Sequence, residues 1–379
     1  MKKRILFGFI GVLAFANLLI VLTGKTFLYP ALYHNFPNID DYEIFDNRTI
    51  SKSSKPQSWG ISSEYNEIGL SETLSNKLEA FESVAFLVIK DDSIVIEKYW
   101  DDYSAKSFSN SFSAAKSHVS ALIGIALKEG KISSLEEPVA NYVSSFKTDG
   151  KEKIRIIDVL KMSSGLNWEE SYAGPLSMTT EAYYGDDIQG IINQLKPEKP
   201  SGENFKYLSG DTQVLAMVLK SATGKSLSEL AQEKLWEPLG YENDAFWSID
   251  RVGGVEKAYC CINSNARDFA KLVKLYMQKG KWNGKELISE SFVYNSITPA
   301  KYSQSTASHF GYMWWLFDEN PIEAQQVFYA RGILGQYIIG IPEKNIIIVR
   351  LGHKRDKNKD HIHPEEVGVM VSEVNKMFP

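Results

Sequence analysis

Ser113 and Lys116 stand three residues apart in the stretch SFSAAKSHVSALIGIALKEGK, and their side chains could form a nucleophile and its base. Positions three apart on a helix share one face, with Cβ atoms about 5–6 Å apart, so the hydroxyl and the amine could meet. A serine hydroxyl is a weak nucleophile that needs a neighbouring base, and a neutral lysine amine can act as one. The same spacing would also arise from a helix cap followed by a lysine that reaches for solvent.

The run that follows this pair, residues 119–127, is apolar on nearly every side. A helix of this kind is buried in its domain, so its first turn would present Ser113 at the floor of a cleft. To act as a base near neutral pH, the lysine must lower its pKa from about 10.4, a differential cost of about 4 kcal/mol, and burial supplies shifts of that size. Ser144 and Lys147 have the same spacing, but polar residues surround them, which predicts a surface position.

Two further stretches contain groups that such chemistry requires. YLS places Tyr207 and Ser209 just ahead of a predicted helix, where the phenol could relay a proton; a core tyrosine is the alternative. YARGILGQYIIGIP has glycines at 332 and 335 leading into a strand. Backbone amides of such a strand could stabilise an oxyanion, although an ordinary turn would look the same.

In order and spacing, SAAK, YLS and ARGILGQY resemble the penicillin-recognising serine hydrolases, and within them the class C β-lactamase-related branch. That branch contains esterases, D-amino-acid peptidases and 6-aminohexanoate-dimer hydrolases. VLKMSSGLNWEESY, SATGKSLSELAQEKLWEPLGY and NARDFAKL support the resemblance. It implies Ser113 as the acyl-forming nucleophile, Lys116 as its proton partner and Tyr207 as general acid–base. It also implies an oxyanion hole made by the backbone amides of Ser113 and Ile333.

The sequence departs from the family pattern in two motifs. Ser209 stands where penicillin-active members usually carry Asn, and YARG replaces the Lys-Thr-Gly that helps to hold a β-lactam carboxylate. The resemblance therefore implies a small ester or amide substrate, with no metal or organic cofactor. The candidate substrate-binding residues are Ser209, Arg331, Gly332 and Trp168. A cell-surface D,D-peptidase and a penicillin-binding-type sensor with little turnover are the alternatives.

The composition is that of an ordinary globular protein, with 44% hydrophobic and 23% charged residues among 379. A net charge of −5 leaves no electrostatic footprint for nucleic acid, and nothing indicates an oligomeric state. The two cysteines, Cys260 and Cys261, are adjacent. Neighbouring Cα atoms lie about 3.8 Å apart, closer than the roughly 4.4–6.8 Å of an unstrained disulfide. We expect two small buried thiols, with a bridge between them as the alternative.

The amino terminus is predicted to be a membrane anchor. Residues 5–24 carry no charge and follow the basic sequence MKKR. A helix of about 20 apolar residues spans a bilayer core, and basic residues before it favour keeping that end in the cytoplasm. We expect a single-pass membrane protein whose catalytic domain lies outside the cytoplasm. A cleaved signal peptide that releases a secreted or periplasmic domain is the alternative.

The order of predicted elements indicates an α+β fold of the β-lactamase/DD-peptidase type. Residues 1–24 would form the basic end and anchor, residues 25–65 a linker and residues 66–379 the hydrolase domain. VAFLVIK and SIVIEKYW near the start, and QVFYAR, GQYIIGIP and NIIIVRLG near the end, suit one antiparallel sheet built from both chain ends. Helical patterns from about residue 115 to about residue 250 predict an inserted helical subdomain, and EEVGVMVSEVNKMF predicts a closing helix.

One histidine-rich stretch could be interpreted as a metal site. His353, His361 and His363 lie near Asp360 and Glu365 in HKRDKNKDHIHPEE. The stretch is polar, and no predicted helix fixes the spacing of the ligands. We therefore expect a solvated loop and no metal.

Overall fold

The computed structural model describes residues 2–172, 174–318, 325–358 and 361–379. In chain order, the helices in these ranges are Lys2–Leu22 (α1), Leu28–His34 (α2), Glu72–Ala80 (α3), Ala115–Lys128 (α4), Ile156–Leu160 (α5), Met178–Tyr184 (α6), Ile188–Gln194 (α7), Ser209–Thr223 (α8), Leu227–Ala231 (α9), Ala266–Met277 (α10), Glu290–Ser296 (α11) and Glu365–Met377 (α12). The strands are Asn47–Ile50 (β1), Gly60–Ile61 (β2), Ser83–Lys90 (β3), Ser93–Tyr99 (β4), Ser109–Asn110 (β5), Ala245–Ser248 (β6), Ile262–Ser264 (β7), Lys281–Trp282 (β8), Lys285–Glu286 (β9), Trp315–Leu316 (β10), Phe328–Gly332 (β11), Gln336–Ile341 (β12) and Ile346–Gly352 (β13).

The main sheet has seven strands in the order β10-β11-β12-β13-β3-β4-β2. Its neighbouring strands are antiparallel except for β2 and β4, which run parallel. β13, from the last part of the chain, pairs with β3, from the first part, in a register that places Ile348 opposite Val88. The predicted sheet built from both chain ends is therefore present, and its centre is the junction of the two ends.

The hairpin between β3 and β4 forms where the sequence predicts it. Continuous runs of apolar residues supply the buried parts of both strands, and Asp91 and Asp92 make the turn with φ of 49° and 64°. Two successive residues with positive φ are typical of a type I′ turn, whose twist matches that of the flanking strands. Aspartate adopts this conformation more readily than most residues other than glycine, which explains why an Asp-Asp turn is tolerated.

Helices α4 to α9 lie between the two groups of main-sheet strands in the chain order, as the predicted helical insertion requires. The apolar helix α4 packs between α8 and β11, while α10 packs against β12 and β13. From residue 109 to residue 126, every residue is buried except Ser113. The helix that follows the serine–lysine pair is therefore a core element, and the serine is its point of access to the surface.

The segment 25–65 carries more structure than its mixed sequence indicates. β1 lies within it and pairs with β6, in a second sheet of order β1-β6-β7-β5. β2 joins the edge of the main sheet beside β4. Neither strand shows an alternating pattern of burial. β1 has four residues, of which only Ile50 is buried, and both residues of β2 are exposed.

The histidine-rich stretch is not simply a solvated loop, and that expectation is wrong for His363. This residue is 1% exposed, its Nδ1 lies 2.7 Å from the Tyr329 hydroxyl, and its Nε2 lies 3.1 Å from Asp318 Oδ1. His361 is exposed, while Asp360 lies outside the described residues. His363 is therefore a packing residue that ties this stretch to β11.

Helix α1 is long and apolar enough to cross a membrane. No residue of the window Ile5–Leu22 is buried within the described chain, and the Tyr29 hydroxyl donates to Asn17 Oδ1 at 2.8 Å. Three apolar side chains at the end of α2 and just after it are exposed to solvent. They are Leu32 (65% exposed), Tyr33 (85%) and Phe36 (71%).

A buried ion pair between β4 and α10 is expected to dominate the local stability of this region. Arg267 binds Glu97 through two hydrogen bonds of 2.7 and 2.6 Å, and the Glu97 side chain is 2% exposed. Removing one partner of such a pair leaves a buried charge and costs about 3–5 kcal/mol. Arg267→Ala should lower the free energy of unfolding by about 3 kcal/mol, measured by chemical denaturation.

The exposed pair between Lys279 and Glu290 is the matched control, with side chains 70% and 54% exposed. Lys279→Ala should change the unfolding free energy by less than about 1 kcal/mol. Equal effects of the two substitutions would contradict the assignment of Arg267 and Glu97 as the stabilising pair.

Candidate active site

Ser113 lies in a tight turn that leads into α4, two residues before the helix begins at Ala115. The 3₁₀ turn Phe112–Ala114 precedes α4, so the serine is not in the first α-helical turn. Phe112 has φ of 43°, which is uncommon for a bulky residue, and its amide donates to Asn110 Oδ1 at 2.8 Å. Strained backbone of this kind persists only where its surroundings hold it, and it is concentrated at functional sites.

The Lys116 amine is buried and surrounded by oxygen atoms. Its Nζ lies 3.0 Å from Ser113 Oγ, 3.2 Å from Ser209 Oγ and 2.8 Å from the Tyr259 carbonyl oxygen. The residue is 2% exposed, and among the described residues no carboxylate lies within ion-pair distance of its amine. Burial lowers the pKa of Lys116 to about 8, although the charge of Glu170 acts in the opposite direction. A neutral amine next to a serine hydroxyl is therefore accessible near physiological pH.

The Tyr207 ring lies close to the Lys116 amine. Lys116 Nζ is 5.1 Å from the centre of the Tyr207 ring. Burial and the charge of Glu170 raise the pKa of Tyr207, while a hydrogen bond with Ser113 lowers it. The phenol therefore stays protonated and can donate a proton beside Ser113. The sequence-predicted Ser113, Lys116 and Tyr207 are thus brought together.

Glu170 is the acidic residue of this site, and the sequence analysis did not find it. Its carboxylate accepts from the Ser209 amide at 2.6 Å and from the Ser209 hydroxyl at 2.8 Å, and it also accepts from the Tyr172 hydroxyl. Ser209 thus stands between the carboxylate and Lys116. Glu170 lies in a loop far from Ser209 in the sequence, so no spacing rule links the two.

Trp168 is predicted to bind substrate, but it is only 1% exposed and contacts Glu170. Its indole Nε1 donates to Glu170 Oε2 at 2.9 Å. Gly210 leaves room for the ring, because a Cβ at that position would lie 2.6 Å from it. The tryptophan therefore fixes the carboxylate.

The third predicted motif approaches the serine turn through Gly332, the last residue of β11. A Cβ at this position would lie 2.2 Å from the Ser111 carbonyl oxygen, so only glycine allows the strand to come this close. Ile333 is the next residue and begins the turn to β12. Arg331 stacks on Trp315, with its guanidinium carbon 3.5 Å from the ring centre, and Tyr207 lies against the same indole. Arg331 and Tyr207 therefore both pack against Trp315.

The expectation of two free thiols is wrong, because Cys260 and Cys261 are joined by a disulfide. Cys261 has φ of 71°, an unusual conformation for a residue other than glycine, and the bridge is present with the backbone in this conformation. Both residues are buried, and they directly follow Tyr259, whose carbonyl binds Lys116. An argument from the usual Cα separation does not reveal such a local backbone conformation.

The arrangement has the parts that acyl transfer needs. A partly accessible hydroxyl lies against a buried amine whose pKa is near neutral, a protonated phenol lies beside them, and a glycine-containing strand passes the same turn. These groups could hold a nucleophile, accept its proton and return a proton to a leaving group.

Comparison with known proteins agrees with this class of fold and site. The family model described as Beta-lactamase matches residues 70–367, so the chain belongs to the beta-lactamase family. The 6-aminohexanoate-dimer hydrolase of Paenarthrobacter ureafaciens is 24% identical over 318 residues, covering 79% of each chain. The resemblance inferred from the sequence motifs is therefore confirmed.

Solved structures share the fold. A provisionally assigned 6-aminohexanoate-dimer hydrolase from Bacillus anthracis superposes with a TM-score of 0.76 at 21% identity, covering 90% of this chain and 92% of the other. A family VIII carboxylesterase superposes with a TM-score of 0.64 at 15% identity, covering 84% and 98%. The predicted α+β fold of the β-lactamase/DD-peptidase type is confirmed, and it is a fold of serine hydrolases that include esterases and amidases.

Glu170→Gln should shift the pH dependence of the Ser113 reaction to lower pH. The carboxylate charge raises the pKa of Lys116, so its removal should let the amine lose its proton at lower pH. In the parent protein, the rate of reaction with a fluorophosphonate should rise with pH through about 8. The measurement is the rate of labelling as a function of pH.

Glu169→Gln is the matched control, since this neighbouring side chain is exposed. It should leave the midpoint of the profile unchanged. A midpoint that stays in place or moves to higher pH in Glu170→Gln would contradict the assigned electrostatic role.

Proposed function

We propose that this protein is a serine hydrolase that cleaves an ester or amide through a covalent acyl-enzyme on Ser113. The observation that supports it best is the buried Lys116 amine, 3.0 Å from Ser113 Oγ and without a carboxylate partner among the described residues. The neighbouring Ser113 hydroxyl distinguishes Lys116 from Lys257, which is also buried without an ion pair among the described residues but binds the backbone carbonyls of Ala182 and Tyr183.

In the proposed reaction, Ser113 Oγ attacks the carbonyl carbon of the substrate and gives its proton to Lys116 Nζ. The backbone amides of Ser113 and Ile333 are proposed to hold the negative oxygen of the tetrahedral intermediate. Tyr207 donates a proton to the leaving alcohol or amine as the carbon–leaving-group bond breaks. Water then attacks the acyl-serine ester, with the same groups accepting its proton and returning one to Ser113.

The surroundings of the site favour a small ester or amide. The Ser209 hydroxyl is hydrogen-bonded to Lys116 and to Glu170. Ala330, Arg331 and Gly332 stand where penicillin-active relatives carry Lys-Thr-Gly. Arg331 lies flat on Trp315, and its Nη1 donates to the Ile362 carbonyl at 2.9 Å. We propose Arg331 and Gly332 as the substrate-binding residues. Ser209 and Trp168, which the sequence analysis also assigned to substrate binding, are proposed instead to position Lys116 and Glu170.

We also propose that α1 anchors the domain in a membrane, with the site outside the cytoplasm. The exposed apolar window Ile5–Leu22 supports this, as do the basic residues before it. The exposed Tyr33 that follows is of a type enriched at membrane–water interfaces.

Ser113→Ala should abolish covalent labelling by a fluorophosphonate or an acyl ester probe. Of the two hydroxyls beside the Lys116 amine, only that of Ser113 is partly accessible, because Ser209 is buried. Ser144→Ala is the matched control, since Ser144 and Lys147 have the same spacing but are exposed. Intact-mass spectrometry should show one adduct on the parent protein and on Ser144→Ala. An adduct on Ser113→Ala would overturn the nucleophile. Activity against short acyl esters, linear amides and D-Ala-D-Ala peptides would then assign the substrate class.

Fractionation of expressing cells tests the anchor. The full chain should stay in the membrane fraction after high-salt washing, retain residues 1–24 by mass, and be digested by protease added outside the cell. Leu13→Arg should reduce insertion, because a charge at the centre of a membrane helix costs about 2.5–3.5 kcal/mol. Tyr294→Arg, at an exposed site on α11, should have no effect. A soluble mature chain that lacks the segment would establish a signal peptide instead.

A further inference from the structure

The segment 259–262 contacts Lys116 and also Ser111, in the turn that carries Ser113. At one end, the Tyr259 carbonyl accepts from Lys116 Nζ at 2.8 Å. At the other end, the Ile262 carbonyl accepts from the Ser111 amide at 2.7 Å, and the Ile262 amide donates to Ser111 Oγ at 3.2 Å. Ser111 stands two residues before the proposed nucleophile. The separation between the amine and the serine turn therefore depends on the shape of this short segment.

The disulfide lies between these two attachments. Cys260 and Cys261 are 4% and 0% exposed, and their bond closes a small ring with the peptide group that joins them. The ring restricts the rotations of the backbone between Tyr259 and Ile262. It also retains Cys261 at φ 71°, a conformation that L-residues leave readily because it costs about 1–2 kcal/mol.

We propose that the Cys260–Cys261 disulfide is a positioning device for the catalytic pair, which holds the Tyr259 carbonyl against Lys116 at the distance set by Ser111. This inference rests on the proposed function, because it takes Lys116 as the proton acceptor of Ser113. Opening the bond frees Cys261 to return to negative φ. The Tyr259 carbonyl and the Ile262–Ser111 contact then lose their fixed separation, and the amine loses one of its three oxygen partners.

The location proposed above, outside the cytoplasm, suits such a bond, since disulfides persist there and are rare within the cytoplasm. Reduction adds two electrons and two protons to the bond and yields two thiols, so an added dithiol reagent is the reductant in the test. The neighbouring carbonyls of Cys260 and Cys261 accept from Trp247 and Ser248. These contacts should preserve the fold when the bond is open, while the shape of the segment changes.

The first experiment compares the full chain before and after treatment with dithiothreitol. Alkylation under denaturing conditions should modify no cysteine before reduction and both cysteines after it. The rate of fluorophosphonate labelling of Ser113 should fall by about tenfold or more on reduction and recover on reoxidation, because small misplacements of catalytic groups are costly. Two alkylated cysteines without reductant would overturn the proposal.

The second experiment uses the double variant Cys260→Ser/Cys261→Ser, with thermal unfolding as a check on folding. It should label as slowly as the reduced parent, and dithiothreitol should not change its rate. Amide hydrogen exchange of residues 259–262 and 111–113 supplies a readout independent of activity, and it should accelerate on reduction of the parent. Unchanged exchange and an unchanged labelling rate would overturn the proposal and leave the proposed function standing. Absence of Ser113 labelling in the oxidised parent would instead refute the proposed function, and the exchange rates would still decide the role of the bond.

Discussion

The structure around the site depends on keeping one lysine amine out of water without giving it a counter-charge. A buried ammonium is costly, so the protein must either pair it or let it lose its proton. Lys116 has a serine hydroxyl on each of two sides and a carbonyl on a third, and these neutral groups bind an amine without fixing its charge. The apolar surface of α4, its packing against α8 and β11, and the tight turn before it all follow from placing this amine beside Ser113.

The Ser209 side chain separates the acidic group of the site from the lysine. Glu170 accepts hydrogen bonds from Ser209 and Trp168, so the Ser209 hydroxyl lies between its carboxylate and the Lys116 amine. A direct ion pair would hold the proton on the amine and remove the base. At the present distance the charge moderates the effect of burial, and it supports the positive lysine that would form once the serine proton has moved.

Much of the fold could be predicted from the sequence, because its main signals are local. The Asp91–Asp92 hairpin, the helix after Ser113 and the strands from β11 to β13 are each marked by an apolar run bounded by turn residues or by the serine–lysine pair. The short strand β1 could not be predicted, since its position depends on pairing with β6. In the site, Ser113, Lys116 and Tyr207 have recognisable motifs, whereas Glu170 is placed by a loop and has none. The disulfide was missed because it depends on one backbone angle at Cys261, which no composition or spacing reveals.

The most direct test of this account is the ionisation of the Lys116 side chain itself. A full chain carrying isotopically labelled lysine, compared with Lys116→Ala to assign the resonance, allows the amine to be titrated by NMR without any substrate. The account predicts a pKa of about 8 for the resonance that is lost in Lys116→Ala, and the buried Lys257, whose pKa is also lowered to about 8, remains in both spectra. A pKa near the ordinary value of 10.5 would show that the amine stays charged beside Ser113, and it would contradict the proposed base.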